Sequence, residues 1–153
     1  DIIGGGKDLD DYKNKFGALA TFWGKLPQNE IAEMLKKSDI LLMPSIRKNG
    51  WQEAFGMSII EAMACGVIPL VTDHPGPCEI LSESEVGVCS SESDYCDAAC
   101  DLIEKCVSDK EYMALLSQKS ILSSRLYLCR SVAKRWAPIL ESGSKNYFFK
   151  AVK

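Results

Sequence analysis

Two carboxylates, Glu53 and Glu61, bracket an otherwise apolar run, Trp51-Gln52-Glu53-Ala54-Phe55-Gly56-Met57-Ser58-Ile59-Ile60-Glu61-Ala62-Met63-Ala64-Cys65-Gly66. A core helix would omit the acids, and a surface helix would carry more polar residues. The run fits a helix whose first turn faces an anion. A helix opening near Phe55-Gly56 offers the backbone N–H groups of Gly56, Met57 and Ser58, which have no acceptor within the helix. Gly56 has no side chain to block close approach. Such an end attracts phosphate through both its N–H groups and the helix dipole. Glu61 lies further along the helix, on one stripe with Ser58. A carboxylate there can accept hydrogen bonds from two neighbouring ribose hydroxyls, each worth roughly 1.5–3 kcal/mol. Glu53, in the loop, can hold a sugar hydroxyl on the other side of the phosphates. A structural explanation competes, because the dipole favours acids near a helix start by roughly 0.3–1 kcal/mol. On spacing alone, that explanation has the better claim.

These residues need elements to hold them. Short apolar runs bounded by Gly, Pro or Asp alternate with helical patterns up to about residue 90. The runs are Ile2-Ile3, Leu19–Trp23, Ile40–Met43, Val67–Val71 and Val86–Val88. They read as strands of a parallel sheet buried on both faces. Asn29 is placed to cap a helix ending near Lys37, and Gly66 to end the Glu61 helix as a C′ glycine. Strands alternating with helices imply βαβ units with right-handed crossovers. The expected architecture is α/β: a Rossmann-like open parallel sheet flanked by helices, with C-terminal helices added. One domain is expected over 1–153, with a βα core at 1–90 and a helical part at 91–153. Asp94 opens a helix through Cys106. Ser108-Asp109-Lys110-Glu111 is a capping-box pattern. A last helix covers Ser131–Glu141, with Trp136 and Leu140 facing inward, Pro138 as an irregularity, and Gly143 as its end.

Open α/β sheets bind ligands beyond the carboxyl ends of their strands. Three loops are expected on that edge: Gly4-Gly5-Gly6-Lys7, Pro44–Ala54 and Thr72–Pro77. The first lacks both GxGxxG spacing and a Walker Lys-Ser/Thr pair, so a tight turn explains it as well as phosphate contact does. His74 reads as a solvated loop histidine and Glu79 as a cap of a short helix Cys78–Leu81. Arg47-Lys48-Asn49-Gly50 reads as an exposed flexible loop.

Composition sets outer limits. The chain has 153 residues, 46% apolar and 25% charged, enough for a proper core. A net charge of −3 argues against a general nucleic-acid binder. No apolar run reaches the length of a transmembrane helix, and no secretory signal is evident. The seven cysteines include no CxxC pair. Cys96 and Cys100 could form half a metal site, but with His74 the lone histidine and no second ligand pair, no metal is expected. A reducing cytoplasm suits these thiols. Because a strand and glycine turn stand at the very start, an upstream portion of a larger protein is expected.

The residues together resemble a known family. Glu53-Ala-Phe-Gly-Met-Ser-Ile-Ile-Glu61, followed by AMACGVIPLVT, resembles the EX7E signature of family 4 (group 1) retaining glycosyltransferases. IIGGG, FWGKLPQNEIAEMLKKSDILLMPS and GPCEIL resemble further passages of that family, in matching order over about residues 2–90. The resemblance implies the GT-B fold, two Rossmann-like domains facing across a cleft, of which this chain is the C-terminal, donor-binding half. It implies that Glu53 contacts the donor sugar and is the catalytic candidate. Phe55, Gly56, Met57 and Ser58 would meet the diphosphate and sugar, Glu61 the ribose diol, and Lys25 and Leu26 the base. Pro44 and Ser45 would flank the cleft. The implied reaction is hexosyl transfer from a nucleotide diphosphate sugar with retention, without a cofactor or metal, in polysaccharide, lipopolysaccharide or glycolipid synthesis. The glycan or lipid-linked acceptor would be held by an N-terminal domain absent from this chain. The family's basic pair lies upstream of the first strand here, so the isolated chain is expected to be inactive. The parent would be cytoplasmic, with any contact at the inner membrane face made through the missing domain. Two alternatives stay open: a non-catalytic nucleotide-binding or scaffold module, and a GT-B-type sugar-nucleotide epimerase.

Overall fold

The computed structural model describes residues 1–84 and 86–147. They form two compact units, Asp1–Ser38 and a second beginning at Asp39.

The first unit contains β1 (Ile2–Ile3), α1 (Leu9–Phe16), β2 (Phe22–Gly24) and α2 (Gln28–Leu35). β1 and β2 pair in parallel, with Ile2 opposite Phe22. β2 is shorter than the expected Leu19–Trp23 strand. The amides of Leu19 and Ala20 turn back to the Phe16 carbonyl and so cannot join a ladder. α2 starts ahead of Asn29: Pro27 stands at the cap with φ −68°, a torsion its ring already fixes. Trp23 lies at the rim, donating its indole N–H to Asp1 at 2.7 Å.

The second unit runs β3 (Ile40–Met43), α3 (Met57–Ala64), β4 (Ile68–Thr72), α4 (Pro75–Ser84), β5 (Val88–Ser90), α5 (Tyr95–Ser108) and α6 (Lys110–Ser124). A 3-10 turn, Arg125–Tyr127, leads into α7 (Cys129–Tyr147). The sheet order is β3-β4-β5, all parallel, with Ile40 opposite Ile68 and Leu70 opposite Val88. Among the described strands only β4 is buried along its whole length. It is the central strand of its sheet, whereas β3 and β5 each leave one edge unpaired. Burial on both faces, expected of every run, therefore holds for this one.

The core forms around β4. Ile59, Ala62 and Met63, spaced three and one residues apart on α3, pack with Ile80 and Leu81 of α4, Leu102 and Cys106 of α5, and Leu116 of α6. Tyr95 reaches in to donate its hydroxyl to the Leu70 carbonyl at 2.9 Å, and burial pushes its phenol up to about 12. Gly66 ends α3 as expected. At φ +83° it forms a Schellman motif, Val67 N–H to Ala62 carbonyl and Gly66 N–H to Met63 carbonyl, both at 3.0 Å.

Three helix boundaries differ from expectation. α4 opens at Pro75 rather than Cys78, since proline suits a first helical position. Glu79 thus stands inside the helix, not at its cap. α6 is capped by Asp109, whose carboxylate accepts the Tyr112 N–H at 2.8 Å. Ser108 instead bonds back to the Glu104 carbonyl at the end of α5. α7 holds Pro138 within it, as expected, but continues through Gly143. Trp136 and Leu140 are 54% and 65% exposed rather than inward.

The cysteines differ as well. Cys78 of α4 and Cys89 of β5 form a disulfide. They are 11 residues apart, and the pairing of β5 with β4 brings their Cα atoms to 5.9 Å. Cys96 and Cys100 are exposed on α5. Among the described residues, no group of three or more metal-ligating side chains gathers, and no helix is long and apolar enough to cross a membrane.

Candidate functional site

Three loops leave the carboxyl ends of β3, β4 and β5, the edge where a parallel sheet presents ligands. In the second unit these are the loop from Pro44 to Gly56, the turn Asp73-His74, and the turn from Ser91 to Asp94. The Gly4–Lys7 turn belongs to the first unit. There Lys25, itself exposed, lays its stem along Gly5, where a Cβ would stand 3.4 Å from Lys25 Cγ. Leu26 is half-buried beside it in sequence.

The remaining predicted residues share one loop and helix. Gly56 is the N-cap of α3, buried, with φ +97°. A side chain is excluded there twice over. The left-handed torsion disfavours any Cβ, and a Cβ would stand 2.6 Å from Ile59 Cδ1. The Gly56 carbonyl accepts the Ile59 N–H at 3.0 Å, so the N–H groups of Met57 and Ser58 precede the first helical bond. Phe55 and Met57 are exposed beside that end. Ser58 is exposed and donates to Met43 Sδ at 3.5 Å. Glu61 is half-buried one turn further along. The Glu53 carboxylate turns toward the helix start and accepts the Phe55 N–H at 3.4 Å. Phe55 therefore spends its amide within the protein, leaving Met57 and Ser58 as the first-turn donors.

His74, expected as a solvated loop residue, is fully buried. Its Nδ1 accepts the Glu53 N–H at 2.8 Å, and its Nε2 lies 3.2 Å from the Ser45 carbonyl. The Thr72 hydroxyl donates to that same carbonyl at 2.7 Å. Gly76 follows in α4. A Cβ there would overlap the Ala54 carbonyl and stand 2.5 Å from the Phe55 nitrogen, so helix backbone packs directly on the Ala54–Phe55 peptide.

Arg47, expected in a flexible stretch, binds all three loops together. Its Nη1 donates to Asp73 at 2.8 Å and Glu92 at 3.3 Å, its Nη2 to the Asp73 carbonyl, and its backbone N–H to Glu92 at 2.9 Å. Lys48-Asn49-Gly50-Trp51 is a tight hairpin turn, with φ +52° at Asn49 and +78° at Gly50. Asn-Gly is a strong short-range signal for such a turn, and it was the available clue that this stretch is built.

The hydrogen bond from Arg47 holds the Asp73 carboxyl below its ordinary value of 3.8, against the opposing effect of desolvation. A depressed carboxyl stabilises the fold above its ordinary value and stops doing so as pH falls through the lowered one. Carboxyl-carbon NMR is expected to show Asp73 titrating below 3.8. Arg47→Gln is expected to raise that midpoint; an unchanged midpoint would rule out Arg47 as the cause.

Phe55 and Gly76 also border a groove of about 380 Å³ with Glu79, Glu83, Arg135 and Trp136. Within it, Tyr127 donates to Glu83 at 3.1 Å, and burial first, then Glu83, pushes its phenol up to about 12.

Comparison with known proteins bears on the family and the fold. Residues 1–122 match the family model described as Glycosyl transferases group 1. Sucrose synthase 2 of Oryza sativa subsp. japonica is 37% identical over 79 residues, 49% of this chain and 9% of that protein. Sucrose synthase 7 of the same plant is 30% identical over 103 residues, 65% of this chain and 12% of that protein. The crystal structure of WaaG, a glycosyltransferase involved in lipopolysaccharide biosynthesis, superposes with a TM-score of 0.62 at 18% identity, over 90% of this chain and 36% of that one. The chain thus spans well under half the length of each. The α/β arrangement of parallel strands between helices is the GT-B type that the resemblance implied. With the family match covering most of its length, the chain belongs to the group 1 glycosyl transferases.

Proposed function

We propose that this chain is the nucleotide-sugar donor-binding part of a retaining glycosyltransferase. The observation that carries the reading is Gly56: a left-handed, side-chain-free cap at the head of α3, with Glu53 before it and Glu61 one turn beyond. The Met57 and Ser58 amides would meet a diphosphate. Glu61 would hold the ribose diol, and Glu53 a hydroxyl of the transferred hexose. As the bond to the sugar breaks, charge grows on the departing diphosphate, and fixed N–H donors aimed at it lower the barrier.

The relatives support a donor role in another way. One group is named for making sucrose and the other protein for lipopolysaccharide synthesis. Products so different share this portion, which suits the end that handles the common type of donor. A glycan or lipid-linked acceptor would then be held by a further domain, and the chain alone would not turn over.

Amide NMR of the chain tests the reading directly. UDP, ADP and GDP are expected to shift the Gly56, Met57 and Ser58 signals, with at least one diphosphate binding tenfold more tightly than its monophosphate. Shifts confined to other parts of the chain, or no preference for the second phosphate, would refute it.

A further inference from the structure

We infer that His74 is a positioning residue for Glu53, acting through the Glu53 backbone amide as the neutral Nε2–H tautomer. Its functional weight rests on the donor-site reading; the contact itself does not.

The tautomer follows from the partners. A backbone amide can only donate, so Nδ1, 2.8 Å from the Glu53 nitrogen, must accept. A carbonyl can only accept, so Nε2, 3.2 Å from the Ser45 oxygen, must carry the proton. One neutral form satisfies both contacts. A second proton on Nδ1 would set one N–H against another.

The two bonds reach opposite ends of one long loop. Ser45 opens it just after β3, and Glu53 closes it just before α3. The ring clamps both to one point at the end of β4. That point is itself anchored. The His74 N–H donates to the Thr72 carbonyl at 2.7 Å, and its carbonyl accepts the Cys78 N–H at 3.0 Å inside α4. Two residues on, Gly76 packs on the Ala54–Phe55 peptide. One short segment therefore grips the chain on both sides of Ala54. The direction in which Glu53 leaves the backbone is set by that double grip. Glu92, 3.7 Å from Nε2, is engaged by Arg47 and leaves the Ser45 contact intact.

Because the chain has a single histidine, its imidazole nitrogens can be read without ambiguity. Nitrogen-15 NMR of the 153-residue chain is expected to show an unprotonated Nδ1 coupled to the Glu53 amide, and a protonated Nε2. His74→Asn supplies an acceptor close to the Nδ1 position, the one that faces the Glu53 amide. It is expected to retain protection of the Glu53 amide from exchange to within threefold, whereas His74→Leu loses it by more than tenfold. Binding should divide in the same way. With UDP and UDP-glucose, ADP and ADP-glucose, and GDP and GDP-mannose as ligands, His74→Leu is expected to change diphosphate affinity less than twofold. It should erase any gain from the attached sugar, and His74→Asn should restore that gain. A protonated Nδ1, or a Glu53 amide equally protected in His74→Leu, would overturn the inference. If His74→Leu does not fold, the wild-type ring spectrum decides by itself. If the ring and amide behave as stated but no sugar nucleotide binds, the donor reading fails and the positioning role stands.

Discussion

Gly56→Ala is expected to lower nucleoside diphosphate affinity at least tenfold while the core stays folded. The left-handed torsion at this cap costs a residue with a Cβ about 1–2 kcal/mol. The new methyl group would also stand 2.6 Å from Ile59 Cδ1, in a side chain with no exposed surface of its own. Overpacking of this kind typically costs about 1–3 kcal/mol more. The chain can relieve both penalties by turning the cap toward a right-handed torsion. That movement carries the Met57 and Ser58 amides out of alignment, and affinity falls with it. The two causes are separable. Ile59→Val removes Cδ1 at a typical cost of about 0.5–1.5 kcal/mol. In the Gly56→Ala background it should relieve the overlap but not the torsional strain. Urea melts are expected to show part of the stability restored, while titration shows the affinity still low. Full recovery of affinity in the double variant would mean that the torsion at Gly56 has no bearing on the ligand.

Glu61→Ala is expected to weaken nucleotide binding by roughly 10- to 150-fold, the equivalent of one charge-assisted pair worth roughly 1.5–3 kcal/mol. The half-buried position of Glu61 on the α3 stripe shared with Ser58 makes the loss larger than for a fully solvated acid. A general weakening would not show that the ribose is the partner, but a cycle does. Wild-type protein should lose affinity on passing from UDP to its 2′-deoxy form, and Glu61→Ala should lose nothing further. Equal 2′-deoxy penalties in both proteins would remove Glu61 from the ribose. Unchanged affinity for UDP would remove it from the site.

Much of the candidate site's local geometry was legible because its signals are local. Glu53, Gly56, Ser58 and Glu61 sit within one stretch, and helix periodicity alone puts Ser58 and Glu61 on one face. Gly66 was readable for the same reason, since a Schellman end needs a residue that tolerates a positive φ. His74 and Arg47 were misread because their partners are remote in sequence. Glu53 is 21 positions from His74, and Glu92 is 45 from Arg47. Nothing near His74 indicates that a carbonyl and an amide from the preceding loop will close over it. The Cys78–Cys89 pair was hidden likewise, since it depends on the register of β5 against β4. Strand burial was over-read because a two- to five-residue apolar run looks the same at the middle of a sheet and at its edge. α7 shows the reverse error: Gly143 is a breaker by propensity, yet it does not end the helix.

The contacts among Arg47, Asp73 and Glu92 bear on how tightly a small molecule can be held. Side chains that are already ordered lose little rotational freedom when something docks beside them, and association costs roughly 0.5–1.5 kcal/mol less for each one so restrained. Three strand-end loops braced in advance thus present a rigid wall. Selectivity among sugars would then arise from shape and hydrogen-bond matching, and much less from induced rearrangement.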